Sequence, residues 1–168
     1  MRYTSLLLVS FLIIAVTFSS CKKDETVQDV ILSPASMTAK VNDTAWTAIT
    51  RATRHFAANN KFVITGTSTD GQVIVITVMG DTTGTYTSST SIDSLSAQVG
   101  AVWQPDASSP TEDNFVSQSG TVTLTTVDTE NLKVSGTFSF ELINTNLSTQ
   151  KSITEGKFSD LSYSESSK

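Results

Sequence analysis

The sequence has one cysteine, one histidine and three prolines in 168 residues. A lone cysteine has no partner for an intramolecular disulfide, and a lone histidine excludes a metal site built on two histidines. Charged residues make up only 16% of the chain, and the formal net charge of −5 argues against a nucleic-acid partner, which needs a basic surface. Without disulfides, the chain must be held together by its hydrophobic core.

Long apolar runs are also scarce, and the one present lies at the start of the chain. Residues Leu6 to Phe18 form a thirteen-residue apolar segment after a short positive start. A membrane-spanning helix needs roughly 20 residues, so this segment predicts a signal peptide over residues 1–20. The order Ser19-Ser20-Cys21 resembles the lipobox of bacterial lipoproteins, in which the cysteine is acylated. We therefore expect Cys21 to carry lipid and to anchor the protein in a membrane.

The residues after Cys21 bear on where the protein is displayed. Lys22, Lys23, Asp24 and Glu25 form a compact charged cluster, which is similar to the export signals of Bacteroidetes lipoproteins. That resemblance implies exposure at the cell surface, on the outer membrane. The alternative is a plain charged tether, with a domain that faces the periplasm. In either case residues 21–36 are interpreted as the lipidated cysteine and its tether.

Residues 37–168 predict a single all-β domain. Serine and threonine together number 52 in the whole chain, and β-branched threonine suits the exposed face of a sheet. Apolar and polar residues alternate repeatedly, whereas no helical periodicity persists. The pattern predicts about eight to ten antiparallel strands joined by short turns. We favour a β-sandwich, but an up-and-down, lipocalin-like β-barrel predicts the same alternation and stays the alternative.

Two turns and one strand carry the clearest local signals. Asn42-Asp43 and Asp70-Gly71 predict hairpins, because these residue types tolerate positive φ. Leu132 to Ile143 alternates best and would turn Leu132, Val134, Phe138, Phe140 and Leu142 inward. Gly136 lies on that inward row, which indicates a bulge or a close approach of the backbone.

The order of four short segments resembles an uncharacterised family of Bacteroidetes lipoproteins, a domain of unknown function. The segments are Ala39-Lys40-Val41-Asn42 followed by Trp46, Gly84-Thr85-Tyr86, Ser135 to Phe140, and Thr154 to Phe158. The resemblance covers about residues 37 to 163. Asp43 departs from it, standing where a glycine is expected after the asparagine. The resemblance implies an all-β envelope module and brings no activity with it.

Two groups of residues are candidates for ligand binding. Arg51, Arg54 and His55 form the one positive cluster of the domain, which could receive a carboxylate or phosphate, although a polar strand edge explains it better. Trp103 ends a strand beside a proline-containing loop, where its ring could either stack on a sugar or a protein partner or belong to the core. Tyr86 and Trp46 lie within strand patterns and are expected in the core.

Catalytic and metal-binding signals are weak. The acid pairs Glu112-Asp113 and Asp128/Glu130 fall in predicted loops or turns, where solvated turn acids explain them better than a glycosidase pair. A serine triad through His55 lacks the context of a nucleophile elbow. We predict no catalytic residues, no metal site and no cofactor.

Three segments resemble the acceptor motif of Bacteroidetes envelope O-glycosylation, which is Asp, then Ser or Thr, then a methyl-bearing residue. They place candidate modification sites at Thr44, Thr82 and Ser94.

The sequence thus predicts a lipid-anchored, non-enzymatic binding or interaction module with a glycan or protein partner. The alternatives are a carrier of a small apolar ligand inside a barrel and a structural envelope component.

Overall fold

The computed structural model describes residues 34–88, 97–108, 114–144, 146 and 148–166. These residues form ten β-strands and a short 3-10 turn at Ala57–Asn59. In chain order the strands are β1 (Ser36–Val41), β2 (Thr44–Phe56), β3 (Lys61–Ser68), β4 (Val73–Met79), β5 (Gly84–Ser88), β6 (Val99–Gln104), β7 (Phe115–Asp128), β8 (Lys133–Asn144), β9 (Thr149–Ser162) and β10 (Ser164–Ser166).

Eight of these strands close into a barrel. Going round the ring, the order is β1, β2, β3, β4, β6, β7, β8 and β9, and each neighbouring pair is antiparallel. The ring closes because β1 pairs with β9 on one side and with β2 on the other. Two short strands lie outside the ring order: β5 pairs with β7, and β10 runs parallel to the end of β2.

The all-β antiparallel class is confirmed, and of the two architectures the barrel is the one that forms. The sandwich favoured by the sequence would leave sheet edges unpaired, whereas the β1–β9 pairing joins the first and last long strands of the meander. Register shifts in β2, β7 and β9 supply the local bends that a small closed barrel needs.

Side chains fill the inside of the barrel. All eight ring strands contribute to one continuous core. Phe138 packs against both Phe140 and Phe158, with ring centroids 6.4 and 6.2 Å apart. An eight-stranded barrel is just wide enough for side chains to fill it, and these three buried rings are among those that do.

The predicted turns and the predicted close approach are confirmed. Asn42 and Asp43 adopt φ of 47° and 63°, the left-handed values that a two-residue hairpin turn requires, and they do so without glycine. The register between β8 and β9 shifts beside Gly136, where a methyl group would collide with the Thr123 carbonyl oxygen and the Phe158 ring. Glycine is therefore needed at this position for packing.

Leu132 differs from the sequence interpretation. The alternation placed it inward, but its side chain is 36% exposed and its φ is 53°. It belongs to the β7–β8 turn, since β8 begins one residue later.

The connections of the barrel alternate between its two ends, which we name by the segments they carry. The distal mouth carries the turns at 42–43 and 69–72 and the start of the β6–β7 connection at 105–108. The basal mouth carries the start of β1, the connection at 57–60, the turn at 129–132 and β10. At the distal mouth the Ala107 N–H donates to the Gly71 carbonyl oxygen at 2.9 Å, which ties two of its connections together.

Candidate functional site

Two aromatic rings close the distal mouth from inside. Trp103 on β6 and Phe115 on β7 are cross-strand neighbours, and their ring centroids lie 5.3 Å apart in an edge-on arrangement. Trp103 is only 6% exposed. Its indole Nε1–H is buried and has no hydrogen-bond acceptor among the described residues. A buried donor without a partner costs free energy. The core therefore ends at the distal mouth in a polar group that lacks a hydrogen bond.

The ammonium group of Lys151 lies above these rings. Lys151 pairs with the fully buried Leu142 on β8, so it belongs to the inward row of β9. Its Nζ is 5.1 Å from the Trp103 centroid and 5.4 Å from that of Phe115. These distances are typical of a cation–π interaction. Among the described residues, no carboxylate lies within ion-pair distance of this ammonium.

A groove of about 200 Å³ opens beside Lys151 at the distal mouth. It is lined by Val41, Asn42, Thr44, Ala45, Gln72, Trp103 and Lys151.

Hydrogen bonds orient the two amides of this groove. The Asn42 N–H donates to the Ser152 carbonyl oxygen, and the Ser152 N–H donates to Asn42 Oδ1, both at 2.9 Å. The Asn42 amide is thereby fixed with its NH₂ group as the remaining donor. Gln72 Nε2 instead donates to Asp70 Oδ2 at 2.8 Å. Ser68 donates to the other oxygen of Asp70, and this bond is the main cause of the lowered pKa of that carboxyl group.

The basal mouth holds His55 among aromatic rings. The imidazole lies 4.7 Å from the Phe62 ring and 5.7 Å from the Tyr163 ring, measured between centroids, and the residue is 9% exposed. Its Nε2 is 3.5 Å from Asp81 Oδ2, and its Nδ1 is 3.7 Å from Glu165 Oε1. Neither nitrogen makes a hydrogen bond to any residue that the structure describes. Burial, helped by the nearby Glu165, raises the pKa of the Tyr163 phenol.

The structure does not bring the sequence-predicted binding residues together. Trp103 is at the distal mouth, whereas His55 is at the basal mouth. Arg54 is exposed on the face opposite His55, because consecutive strand residues point to opposite sides. Arg51 is exposed and donates from its guanidinium to the Ala48 carbonyl oxygen at 2.9 Å. The positive cluster is therefore three separate side chains.

The acids of the β7–β8 turn have a local structural role. Asp128 Oδ1 accepts the backbone N–H groups of Glu130 and Asn131, at 3.0 and 2.8 Å, and Oδ2 accepts the Asn131 side-chain amide. These bonds, above all the one from the Asn131 N–H, lower the pKa of Asp128. This arrangement caps a turn.

Among the candidate modification sites, Thr44 is exposed at the distal mouth, where it also lines the groove. Thr82 is exposed, and its hydroxyl lies 3.1 Å from that of Tyr86. Ser94 lies outside the described residues, as do the candidate anchor Cys21, the charged cluster Lys22 to Glu25 and the acids Glu112 and Asp113.

Within the described ranges, no three His, Cys, Asp or Glu side chains come together in a way that would hold a metal ion. No helix in that same part of the chain is long and apolar enough to cross a membrane.

Sequence reasoning missed Lys151 and Asn42 as parts of a site. Lys151 lies near the start of β9, and its alternation with Ile153 was the available signal that it faces inward. Asn42 was recognised for its turn conformation alone.

Comparison with known proteins gives a family for this chain. Residues 33–162 match the model of a domain of unknown function, DUF6252. The chain belongs to this family. The match confirms that it carries a domain of unknown function, and its range spans the whole eight-stranded ring, from β1 to β9. No curated protein and no solved structure matches the chain.

Proposed function

We propose that this DUF6252 chain is a lipid-anchored, non-enzymatic binding module that acts at the bacterial cell surface through its distal mouth. The observation that carries the proposal is the groove beside Trp103 and Lys151. There an aromatic wall and an amide meet an ammonium group that has no ion-pair partner among the described residues. Binding sites typically combine apolar walls with a few polar groups in this way.

The filled interior of the barrel favours binding outside it. A carrier of the lipocalin type needs an internal chamber, whereas Phe140 and Phe158 are at most 2% exposed and are packed through Phe138. The groove at the distal mouth, by contrast, is open to solvent beside exposed turn residues. Binding therefore needs no opening of the core.

The chain enters the barrel at the end opposite the distal groove. β1 begins at Ser36 and reaches the Asn42-Asp43 turn after six strand residues, a distance of about 20 Å. An anchor on Cys21 would therefore join the domain at a point away from the groove, which leaves the groove open to ligands.

The anchor and its address are tested by changing Cys21 to Ser. We expect the wild-type protein to carry acyl mass and to fractionate with the outer membrane, and the variant to lose both properties. A protease that cannot enter cells should remove the domain from intact cells. Cleavage only after permeabilisation would contradict surface display and favour the periplasm-facing alternative, in which Lys22 to Glu25 form only a tether.

Binding at the distal mouth is tested by blocking the groove. Thermal unfolding is measured against panels of glycans, lipids and peptides, because a ligand that binds only the folded state raises the midpoint. Thr44 pairs with the buried Val41 and lines the groove, so Thr44→Trp should fill the groove and abolish the shift. Thr47→Trp, at an exposed threonine of the same strand outside the groove, should keep the shift. The proposal fails if no ligand shifts the midpoint, or if the shift survives Thr44→Trp.

A further inference from the structure

We propose that the distal groove recognises a carboxylate group, as carried by an acidic saccharide or a small organic acid. Lys151 supplies the charge, and the Asn42 side-chain amide supplies a second donor. This inference rests on the proposed function, since it names the ligand chemistry of the same groove.

The first step is the state of the Lys151 ammonium. It has three N–H donors, and its contacts in the structure are the faces of Trp103 and Phe115, which accept no conventional hydrogen bond. A lysine that only needed solvation would extend into water. Lys151 instead lies on an inward row and holds its charge at the end of the core, next to a groove. An acceptor placed in the groove would complete its hydrogen bonds.

The second step is the orientation of Asn42. Its Oδ1 is occupied by the Ser152 N–H at 2.9 Å, so its NH₂ group is the end left to interact. Both Asn42 and Lys151 line the groove. A carboxylate has two acceptor oxygens, and bonds from a charged donor to a carboxylate are among the stronger hydrogen bonds in proteins.

The third step is size and charge. A volume of about 200 Å³ is below that of sites which enclose a drug-sized ligand, so the groove fits one group of a larger molecule. Asp43 follows Asn42 in the turn, and the Asp70 carboxylate is bonded to the groove residue Gln72. Acids this close to the groove disfavour a doubly charged phosphate more than a singly charged carboxylate. The Trp103 ring provides an apolar wall for the carbon atoms next to the carboxylate.

The test measures ligand affinity from the thermal midpoint of the full-length protein in detergent, at constant ionic strength. Glucuronate is compared with glucose, which has a hydroxymethyl group in place of the carboxylate, and with acetate and inorganic phosphate. We expect glucuronate to stabilise the protein and glucose and phosphate to have no effect. Stabilisation by acetate as well would assign the site to small organic acids in general; stabilisation by glucuronate alone would assign it to acidic saccharides.

Two variants test the residues. Lys151→Met keeps the aliphatic stem and removes the charge, and we expect it to weaken glucuronate binding about tenfold or more, as loss of a charge-assisted hydrogen bond implies. Asn42→Asp keeps the acceptor for Ser152 but replaces the donor with a negative oxygen, so it should also weaken binding. Lys157→Met, an exposed lysine of the same strand, is the matched control and should bind as the wild type does.

The outcomes separate this inference from the proposed function. Equal stabilisation by glucose and glucuronate, no stabilisation by any carboxylate, or unchanged binding by Lys151→Met would each overturn carboxylate recognition. If another ligand still binds and Thr44→Trp abolishes its binding, the proposed function stands without the carboxylate. If nothing binds in a way that Thr44→Trp blocks, both fail.

Discussion

The packing of Phe140 over Gly120 allows a specific test of how β7 and β8 pair in the barrel. Gly120 on β7 is the cross-strand partner of Phe140 on β8. A methyl group on Gly120 would meet three carbons of the Phe140 ring, namely Cδ1, Cε1 and Cγ, and its nearest contacts are all to that ring. The conflict is therefore between two side chains and can be relieved by removing one of them.

The expected magnitudes follow from this geometry. Gly120→Ala overpacks the core and should lower the free energy of unfolding by about 1–3 kcal/mol. Phe140→Ala removes a ring that is 2% exposed and should cost about 3–5 kcal/mol. In the double variant the collision is gone and the new methyl occupies part of the space. The free energy of unfolding that the double variant loses should therefore be about 1–3 kcal/mol smaller than the sum of the two single losses.

The measurement is urea unfolding, followed by the fluorescence of the two buried tryptophans, in a soluble chain beginning at Lys22. Gly136→Ala with Phe158→Ala is the matched control pair. There a methyl group also collides with the Thr123 carbonyl oxygen, which is backbone, so removing the ring should leave most of the loss in place. Additive losses at Gly120 and Phe140, or a Gly120→Ala variant as stable as wild type, would mean that the β7–β8 register is wrong.

Three further predictions concern acids, His55 and modification. The turn acids Asp70, Asp106 and Asp128 have lowered pKa values in the native protein. The stability that their ionised carboxylates contribute is complete above about pH 5, beyond the unfolded pKa near 4, and is lost as pH falls through the native pKa values. Unfolding midpoints measured from pH 7 to 2 should fall less steeply in Asp128→Asn, and an unchanged slope would count against the cap. His55→Phe should leave the free energy of unfolding at pH 8 unchanged or raise it, because it replaces two buried nitrogens that lack hydrogen bonds to the described residues. His55→Ala should lower the free energy of unfolding. Equal losses in both variants would show that the nitrogens matter. Intact mass of the native protein should exceed polypeptide plus lipid if any of the three Asp-Ser/Thr motifs is glycosylated, and an exact match would rule this out.

Local alternation was enough to predict which side chains form the core in regular strands. Met37, Ala39 and Val41 alternate in the sequence and are all buried in β1. In β9 the alternation is broken twice, because Glu155 and Asp160 adopt positive φ at shifts of register. Neither residue is a glycine, so their residue types did not indicate a positive φ. The available sequence signal was Gly156, next to the first shift of register.

Closure of the barrel was beyond local reasoning for a different reason. It depends on the pairing of β1 with β9, which joins residues such as Val41 and Ile153 that are far apart in the chain. A sandwich and a barrel bury the same alternating faces, and they differ in which distant edges meet. The candidate site shares this limit, since Asn42, Trp103 and Lys151 come from three separate strands or turns.

The acidity of the chain as a whole is compatible with carboxylate recognition at one end of the barrel. The formal charge is −5, and the carboxylates of Asp81 and Glu165 lie at the basal mouth beside His55. The two mouths are separated by about 20 Å of strand, and exposed charges are largely screened beyond about 8–10 Å at physiological ionic strength. A ligand at the distal groove therefore interacts chiefly with Lys151 and with the acids of its own rim. Neutralising Asp43 should consequently raise affinity for a carboxylate more than neutralising Glu165, although each change alters the net charge equally.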